Sequence, residues 1–212
     1  MKSKKVKLII TILFLLIIGV TVNAFNIDAF DLFKKDINEI GTKVKNVEAN
    51  ETNQEIALEI GDVAVTSQHF KTVGAMLKTE DENKITDYIV ERVLIRKKAE
   101  ERGITVTDTE VNEYIQEIKD FINSNKDARD KFNIYLESLG YSEEDFWSSE
   151  STLEQYKNML IEGKCRYSLR KEFMNKYKDK SINEIEELVN EEIKELIEAE
   201  KEKVQIKKHY NK

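Results

Sequence analysis

Few side chains in this sequence have the types and spacing that catalysis or metal binding requires. The two histidines, His69 and His209, lie far apart, and neither has a second potential metal ligand at helical spacing. Cys165 is the only cysteine, which excludes an intramolecular disulfide and a thiolate-clustered metal site. The sequence has no glycine-rich phosphate loop and no nucleophile elbow. We therefore expect no catalytic residues, no metal and no cofactor.

Large apolar side chains offer a different chemistry, the recognition of segments of other polypeptides. Such residues recur from the helix predicted to begin at Thr107 to the helix predicted to begin at Ser142. They are Phe121, Phe132, Tyr135, Phe146, Trp147 and Met159. Aromatic and methionine side chains suit loose recognition because they offer large and adaptable contacts. Two interpretations remain open for this set. Either most of the six are buried in the core, or some of them line a groove that binds apolar segments of other chains.

The composition favours a helical protein and disfavours a nucleic-acid partner. The chain has no proline and seven glycines among 212 residues, and both residue types weaken helix interiors. A many-stranded sandwich or barrel would need turn residues every few positions. The formal net charge is −7, with 41 acidic and 34 basic residues. An acidic body repels phosphates, so we expect no nucleic-acid binding.

The first 24 residues have the pattern of a secretion signal. Lysines at positions 2, 4, 5 and 7 precede an uncharged run that extends from Leu8 to Val22. Val22-Asn23-Ala24 fits a cleavage site, although extension of the run to Phe25 would also allow a marginal membrane anchor. Residues 1–24 are thus either a cleaved signal peptide or a retained signal anchor. In both cases the lysines stay in the cytoplasm and the body crosses the membrane.

The next segment, residues 25–55, is predicted to form an amphipathic helix followed by a polar linker. Apolar residues recur every three or four positions between Phe25 and Val47, which places them on one helix face. This helix either packs on the body or lies on the membrane surface. The stretch from Ile56 to Val65 then alternates apolar and polar residues around Gly61-Asp62, which predicts a β-hairpin.

Six further helices are predicted from capping residues and apolar periodicity. Their expected starts are Thr66 or Ser67, Glu82, the Thr107–Glu110 capping box, the residues after Asn125, and Ser142, and a sixth begins at Ser181. The apolar face of the Glu82 helix includes one charged residue, Arg92. The helix that begins at Ser142 is predicted to continue to about Tyr177. One face of it should carry Leu153, Tyr156, Leu160, Tyr167 and Met174.

Several of these segments, in this order, resemble a known family. They are the hairpin around Gly61-Asp62, then ITDYIVERVLI (85–95), AEERGI (99–104), VTDTEV (106–111) and LGYSEEDF (139–146). From Ile56 to about Tyr177 the chain resembles the N-terminal chaperone domain of the SurA and PrsA extracytoplasmic foldases. The resemblance implies a helical lobe at residues 56–178 that holds unfolded secreted proteins. It also implies a charged C-terminal helix, within residues 179–212, that packs back on the lobe.

Many relatives carry a parvulin-type prolyl isomerase domain after this lobe, and here that domain is missing. It would need about ninety residues with glycine-rich turns, whereas Gly163 is the only glycine after Phe146. The resemblance therefore implies no isomerase activity.

Together these observations predict a mostly α, elongated multi-helix chaperone lobe with one short β-hairpin. The expected function is an ATP-independent chaperone outside the cytoplasm, anchored to the outer face of a membrane or secreted. Its partners would be unfolded or assembling client proteins, and the N-terminal segment would contact the membrane. The alternative is a membrane-tethered helical module dedicated to one protein partner.

Overall fold

The fold is given by a computed structural model that describes residues 27–50 and 55–209, and the side chains of 36–47 and 55–209. The signal peptide or anchor predicted for residues 1–24 lies outside this part of the chain. The described elements are, in order, α1 (Ile27–Asn50), β1 (Ile56–Ile60), β2 (Val63–Thr66), α2 (Ser67–Met76), α3 (Glu82–Glu101), α4 (Asp108–Ser124), α5 (Lys126–Leu139), α6 (Glu143–Ser148), α7 (Glu150–Lys176), α8 (Ile182–Lys201) and β3 (Ile206–Lys208). The prediction of a mostly α fold is confirmed.

Local side-chain chemistry sets where most of these helices begin and end. Their N-cap residues accept hydrogen bonds from the first turn, and they are Thr66, Asp81, Thr107, Asn125, Ser142, Ser149 and Ser181. Thr107 and Ser181 form complete capping boxes with Glu110 and Glu184. Gly140 ends α5 in the left-handed conformation, with φ of 73°.

The helix predicted from Ser142 to Tyr177 is in fact two helices. Ser149 leaves the helical conformation, with ψ of 133°, and its hydroxyl accepts a hydrogen bond from the Thr152 amide. This residue therefore ends α6 and caps α7. The break lets α6 bury Phe146 and Trp147 without following the axis of α7.

The sheet has three antiparallel strands in the order β2-β1-β3. Strands β1 and β2 form the predicted hairpin, and Gly61 makes the turn with a positive φ of 62°. The third strand, Ile206–Lys208, was not predicted and corrects the expectation of a single hairpin. Three residues are too few to show strand periodicity, and the partner strand lies near the other end of the described chain.

Two hydrophobic cores lie side by side. Core 1 joins α1, α4, α5 and α6 to the first half of α7, and its largest buried side chains are Ile37, Val44, Ile122, Phe132, Tyr135, Phe146 and Tyr156. Core 2 joins the sheet, α2, α3 and α8 to the second half of α7, and includes Leu58, Ile60, Phe70, Val73, Leu94, Cys165, Leu169 and Val189. Helix α7 thus belongs to both cores, and α8 packs against α3 and α7.

Helices α1 and α5 approach each other closely at one point. A Cβ atom at Gly41 would overlap the Oγ atom of Ser138, so only glycine fits there. The Ser138 hydroxyl donates a hydrogen bond to the Tyr135 carbonyl at 2.7 Å, which satisfies this buried polar group. This contact packs the described part of α1 onto core 1.

The predicted apolar face of α7 is only partly buried. Tyr156 is fully buried, whereas Leu153, Tyr167 and Met174 are exposed. These three residues are separated by multiples of seven, which places them along one side of the helix. Helices α3 and α8 pack on a different side, the one that carries Cys165 and Leu169. Periodicity identified a stripe on α7, but it could not show which stripe meets the neighbouring helices.

The hydroxyl of Tyr156 generates the first testable prediction. It is buried in core 1 and has no hydrogen-bond partner among the described residues. Removal of an unsatisfied buried hydroxyl removes its desolvation cost, so Tyr156→Phe should leave the free energy of unfolding unchanged or raise it by about 1 kcal/mol. Urea denaturation measures this change. Tyr167→Phe, at an exposed position, is the matched control and should have no effect. A loss above about 1 kcal/mol in Tyr156→Phe would show that the hydroxyl has a partner.

Candidate functional site

Four of the six residues predicted to bind clients lie inside core 1. Phe132, Tyr135, Phe146 and Trp147 are buried, and their rings pack on one another, with centroids 4.8 Å apart for Phe146 and Trp147. Aromatic rings in edge contact stabilise a core and leave no face for another chain. In this structure these four side chains therefore lie in the core and not along an open groove, and a role for them in client binding stays a prediction.

The other two predicted residues are accessible, but the structure does not bring them together. Phe121 lies on α4 with 41% of its surface exposed. Met159 lies on α7, half-buried at the edge of core 1. Met159 lines a cavity in the described part of the chain.

That cavity is a cleft between β2 and α7, with a volume of about 210 Å³. Residues of β2, α2, α3 and α7 form its walls, and the apolar ones include Val63, Val65, Val73, Ile89 and Met159. Met159 packs on core 1, whereas Val65, Val73 and Ile89 belong to core 2. The β2–α7 cleft therefore lies where the two cores meet. Its volume is sufficient for a ring-sized group, since a cavity of about 150 Å³ holds benzene.

Strand β2 forms one wall of the cleft and is an edge strand of the described sheet. The amide of Gly61 donates to Gln205 and that of His209 donates to Ala57, which fixes the hydrogen-bond phase of β1 with β3. In this phase the N–H and C=O of Glu59 point toward β3. Its partner on the other side, Ala64, therefore directs its own N–H and C=O away from the sheet.

The two edges of the sheet differ in charge. Strand β3 carries Lys207 and Lys208, and lysines are a common device against pairing at an edge. Strand β2 has the sequence VAVT and carries no charge. The edge beside the cleft is therefore the one that can accept another strand.

An ionic cluster lies under the cleft and joins α3 to α7. Glu162 is buried and pairs with both Arg92 and Arg96, the second at 2.9 Å. Arg92 also donates to the hydroxyl of Tyr88 at 3.2 Å and lies over its ring. Arg92, within the predicted apolar face of the helix that begins at Glu82, is the signal in the sequence for this cluster. A charge in such a face needs a partner.

His69 lies beside this cluster on α2. Burial, followed by the positive charge of Arg96, lowers the pKa of His69 from 6.5 to about 4. The imidazole is therefore neutral at neutral pH, and the cleft wall gains no charge from it.

The described residues offer no other chemistry of the kinds sought. They contain no group of three or more potential ligands that could hold a metal ion. None of the described helices has both the length and the apolar character that a membrane span requires. What the site combines is an open strand edge, an apolar cavity and a fixed ionic floor. Such an arrangement can bind an extended polypeptide with one side chain in the cavity.

The ionic floor gives a prediction of stability. Glu162→Gln would leave two guanidinium groups without a carboxylate, so it should lower the free energy of unfolding by about 1–3 kcal/mol. Denaturant unfolding followed by circular dichroism measures the loss. Glu172→Gln is the matched control on the same helix, because Glu172 is exposed and pairs with Arg102 at the surface. It should change stability by less than about 0.5 kcal/mol. Equal losses in the two variants would contradict a special role of Glu162.

His69 gives a prediction of pH dependence. The unfolded chain takes up a proton at this residue near pH 6.5, whereas the folded chain does so only near pH 4. The unfolded state therefore binds more protons within this window, so stability is lost as the pH falls from 6.5 toward 4. His69→Gln should lose less stability than the wild type across the same window. Melting temperatures of both proteins between pH 7.5 and pH 4 measure the difference. Parallel curves would show that His69 does not contribute.

A family described as SurA-like N-terminal domain matches residues 1–160 of the chain. The match starts earlier than the resemblance noted in the sequence, which began at Ile56, and it ends within α7. No curated protein and no solved structure matches the chain. The family suggests a chaperone-like role, and its domain is of a non-catalytic type. The matched segment covers about three quarters of the sequence and includes β2, α2, α3 and the part of α7 that carries Met159. The chain therefore belongs to the SurA-like N-terminal domain family.

Proposed function

We propose that the protein is an ATP-independent holdase outside the cytoplasm that binds extended segments of unfolded or assembling proteins. The observation that carries the proposal is the uncharged edge strand β2 beside an apolar cavity. A client segment would pair with the outward N–H and C=O of Ala64 and place one apolar side chain in the β2–α7 cleft. Membership of the family supports the chaperone role.

The energetics of such a contact suit reversible holding. Two backbone hydrogen bonds would contribute about 0.5–1.5 kcal/mol each, and one buried apolar side chain about 1.5–3 kcal/mol. Association itself costs at least about 4 kcal/mol in lost freedom of motion. A single site therefore binds weakly and with little dependence on client sequence. Release needs no nucleotide, because no contact is strong enough to trap the client.

The proposal includes no catalytic step and no prolyl isomerase activity. A parvulin domain would need glycine-rich turns, and Gly163 is the only glycine after Phe146. Location outside the cytoplasm is supported by the basic and apolar pattern of residues 1–24 and by the family.

Suppression of aggregation tests the holdase. The purified protein, without nucleotide, should lower the light scattering of several unrelated refolding proteins as the molar ratio approaches one. Ala64→Pro removes the outward N–H on the β2 edge and should weaken the suppression, because proline cannot donate to an added strand. Lys208→Pro makes the same change at the other edge of the sheet and should leave the suppression intact. Circular dichroism must show that both variants keep the wild-type fold.

The cavity is tested within the same assay. Met159→Gln replaces an apolar wall of the cleft, whereas Leu153→Gln makes a comparable change at an exposed position of α7 outside it. Only the first should weaken the suppression. Unimpaired suppression by both Ala64→Pro and Met159→Gln would refute the site. No suppression by the wild-type protein with any client would refute the holdase and favour a module dedicated to one partner.

A further inference from the structure

Three large apolar side chains are exposed along the C-terminal part of α7 and at the start of α8. Tyr167, Met174 and Ile182 have 63%, 51% and 71% of their surfaces exposed. Tyr167 and Met174 lie seven residues apart on α7, which is two helical turns along the same side. Their exposure contributes nothing to core 2, whose nearby members, Phe173 and Ile185, point inward.

The pairing of α7 with α8 brings the third apolar side chain level with Met174. Arg166 donates to the Asn190 side chain at 3.2 Å, and Arg170 pairs with Glu186, one turn away on each helix. A further turn in the same antiparallel register places Met174 level with Ile182. We call the end of the helix pair, Tyr167 to Ile182, the α7–α8 tip.

The tip is basic in an acidic protein. Residues 163–182 contain seven basic and two acidic side chains, whereas residues 183–202 contain nine acidic and two basic ones. Lys171, Lys176 and Lys178 are exposed, and none of them forms an ion pair with a carboxylate in the described part of the chain. Positive charge is thus concentrated where the apolar side chains are exposed.

Helix stability explains only part of this charge. A lysine in the last turn interacts favourably with the helix dipole, and Lys176 occupies that position in α7. Lys178 lies beyond the helix, so the dipole does not account for it. The dipole also gives no reason for exposed Met174 and Ile182 between these lysines.

We propose that the α7–α8 tip docks on an anionic lipid surface. Lysine side chains would contact lipid phosphates, while Tyr167, Met174 and Ile182 would enter the boundary between headgroups and acyl chains. Apolar side chains flanked by lysines are the combination by which peripheral proteins bind such membranes. A lysine is a compact point charge on a flexible stem, which suits mobile phosphates in a plane better than the fixed carboxylates of one folded partner.

A dye at the tip tests the proposal in the full chain. The single exposed cysteine of a Met174→Cys variant would carry an environment-sensitive fluorophore, since Cys165 is buried and its pKa is raised by burial. Wild-type protein treated in the same way checks that Cys165 stays unlabelled. On vesicles of phosphatidylcholine with phosphatidylglycerol the emission should move to shorter wavelength, and high salt should reverse the shift. Pure phosphatidylcholine should give no shift. A dye at Lys126→Cys on α5 should not respond to either vesicle.

Two lysine triples make the test specific to the tip. With the dye in place, Lys171→Gln, Lys176→Gln and Lys178→Gln together should raise the anionic lipid concentration needed for half the shift by roughly tenfold or more. Lys45→Gln, Lys126→Gln and Lys194→Gln remove the same charge elsewhere and should have little effect. No shift on anionic vesicles, or equal losses in the two triples, would overturn the proposal. Loss of aggregation suppression in the tip triple, without any vesicle response, would assign the tip to acidic clients and would also overturn it. The holdase assay needs no lipid, so either proposal can fail alone.

Discussion

The structure depends on one helix that must be buried by two cores at once. In its first half α7 turns Tyr156 into core 1, and in its second half it turns Cys165 and Leu169 into core 2. The two sets of neighbours are offset around the helix axis, because Cys165 lies nine residues, or two and a half turns, beyond Tyr156. Glu162 lies between these two halves and takes two arginines of α3 as partners. The offset between the cores leaves the β2–α7 cleft, so the cavity follows from the way α7 is shared.

In the proposed function, the cleft and the tip would divide different tasks between two regions of the same helix. The cleft has a firm floor, since a buried carboxylate with two guanidinium partners has few alternative geometries. Its wall at β2 is open and offers backbone groups, which do not depend on client sequence. The tip offers only side chains, and these can adapt to a lipid surface whose headgroups have no fixed arrangement. Binding of a client and contact with a membrane would thus use separate sets of interactions.

The sequence allowed those features to be predicted that depend on near neighbours. The capping box at Thr107, the helix start at Ser181 and the end of α5 at Gly140 are confirmed, because each involves residues within one turn. Burial of Trp147 and its aromatic neighbours was left open, because it depends on how α4, α5 and α7 pack around them. Strand β3 was missed for a similar reason, since the Lys207 side chain meets Glu59, 148 residues away. The cleft depends on helix packing and on strand position, and both involve residues far apart in the sequence. Of the predicted client-binding residues, Met159 lines it.

The position of β3 also has a consequence for the order of folding. Strand β1 is complete once residue 60 has been synthesised, yet its second neighbour becomes available only at Ile206–Lys208. A two-stranded hairpin is only marginally stable by itself, and β1 would remain open on that side for most of translation. Core 1 draws on α1 and α4 to α6 and can form before α8 and β3 have emerged. The protein should therefore assemble from core 1 toward the sheet, with closure by its last strand as the slow step of high contact order.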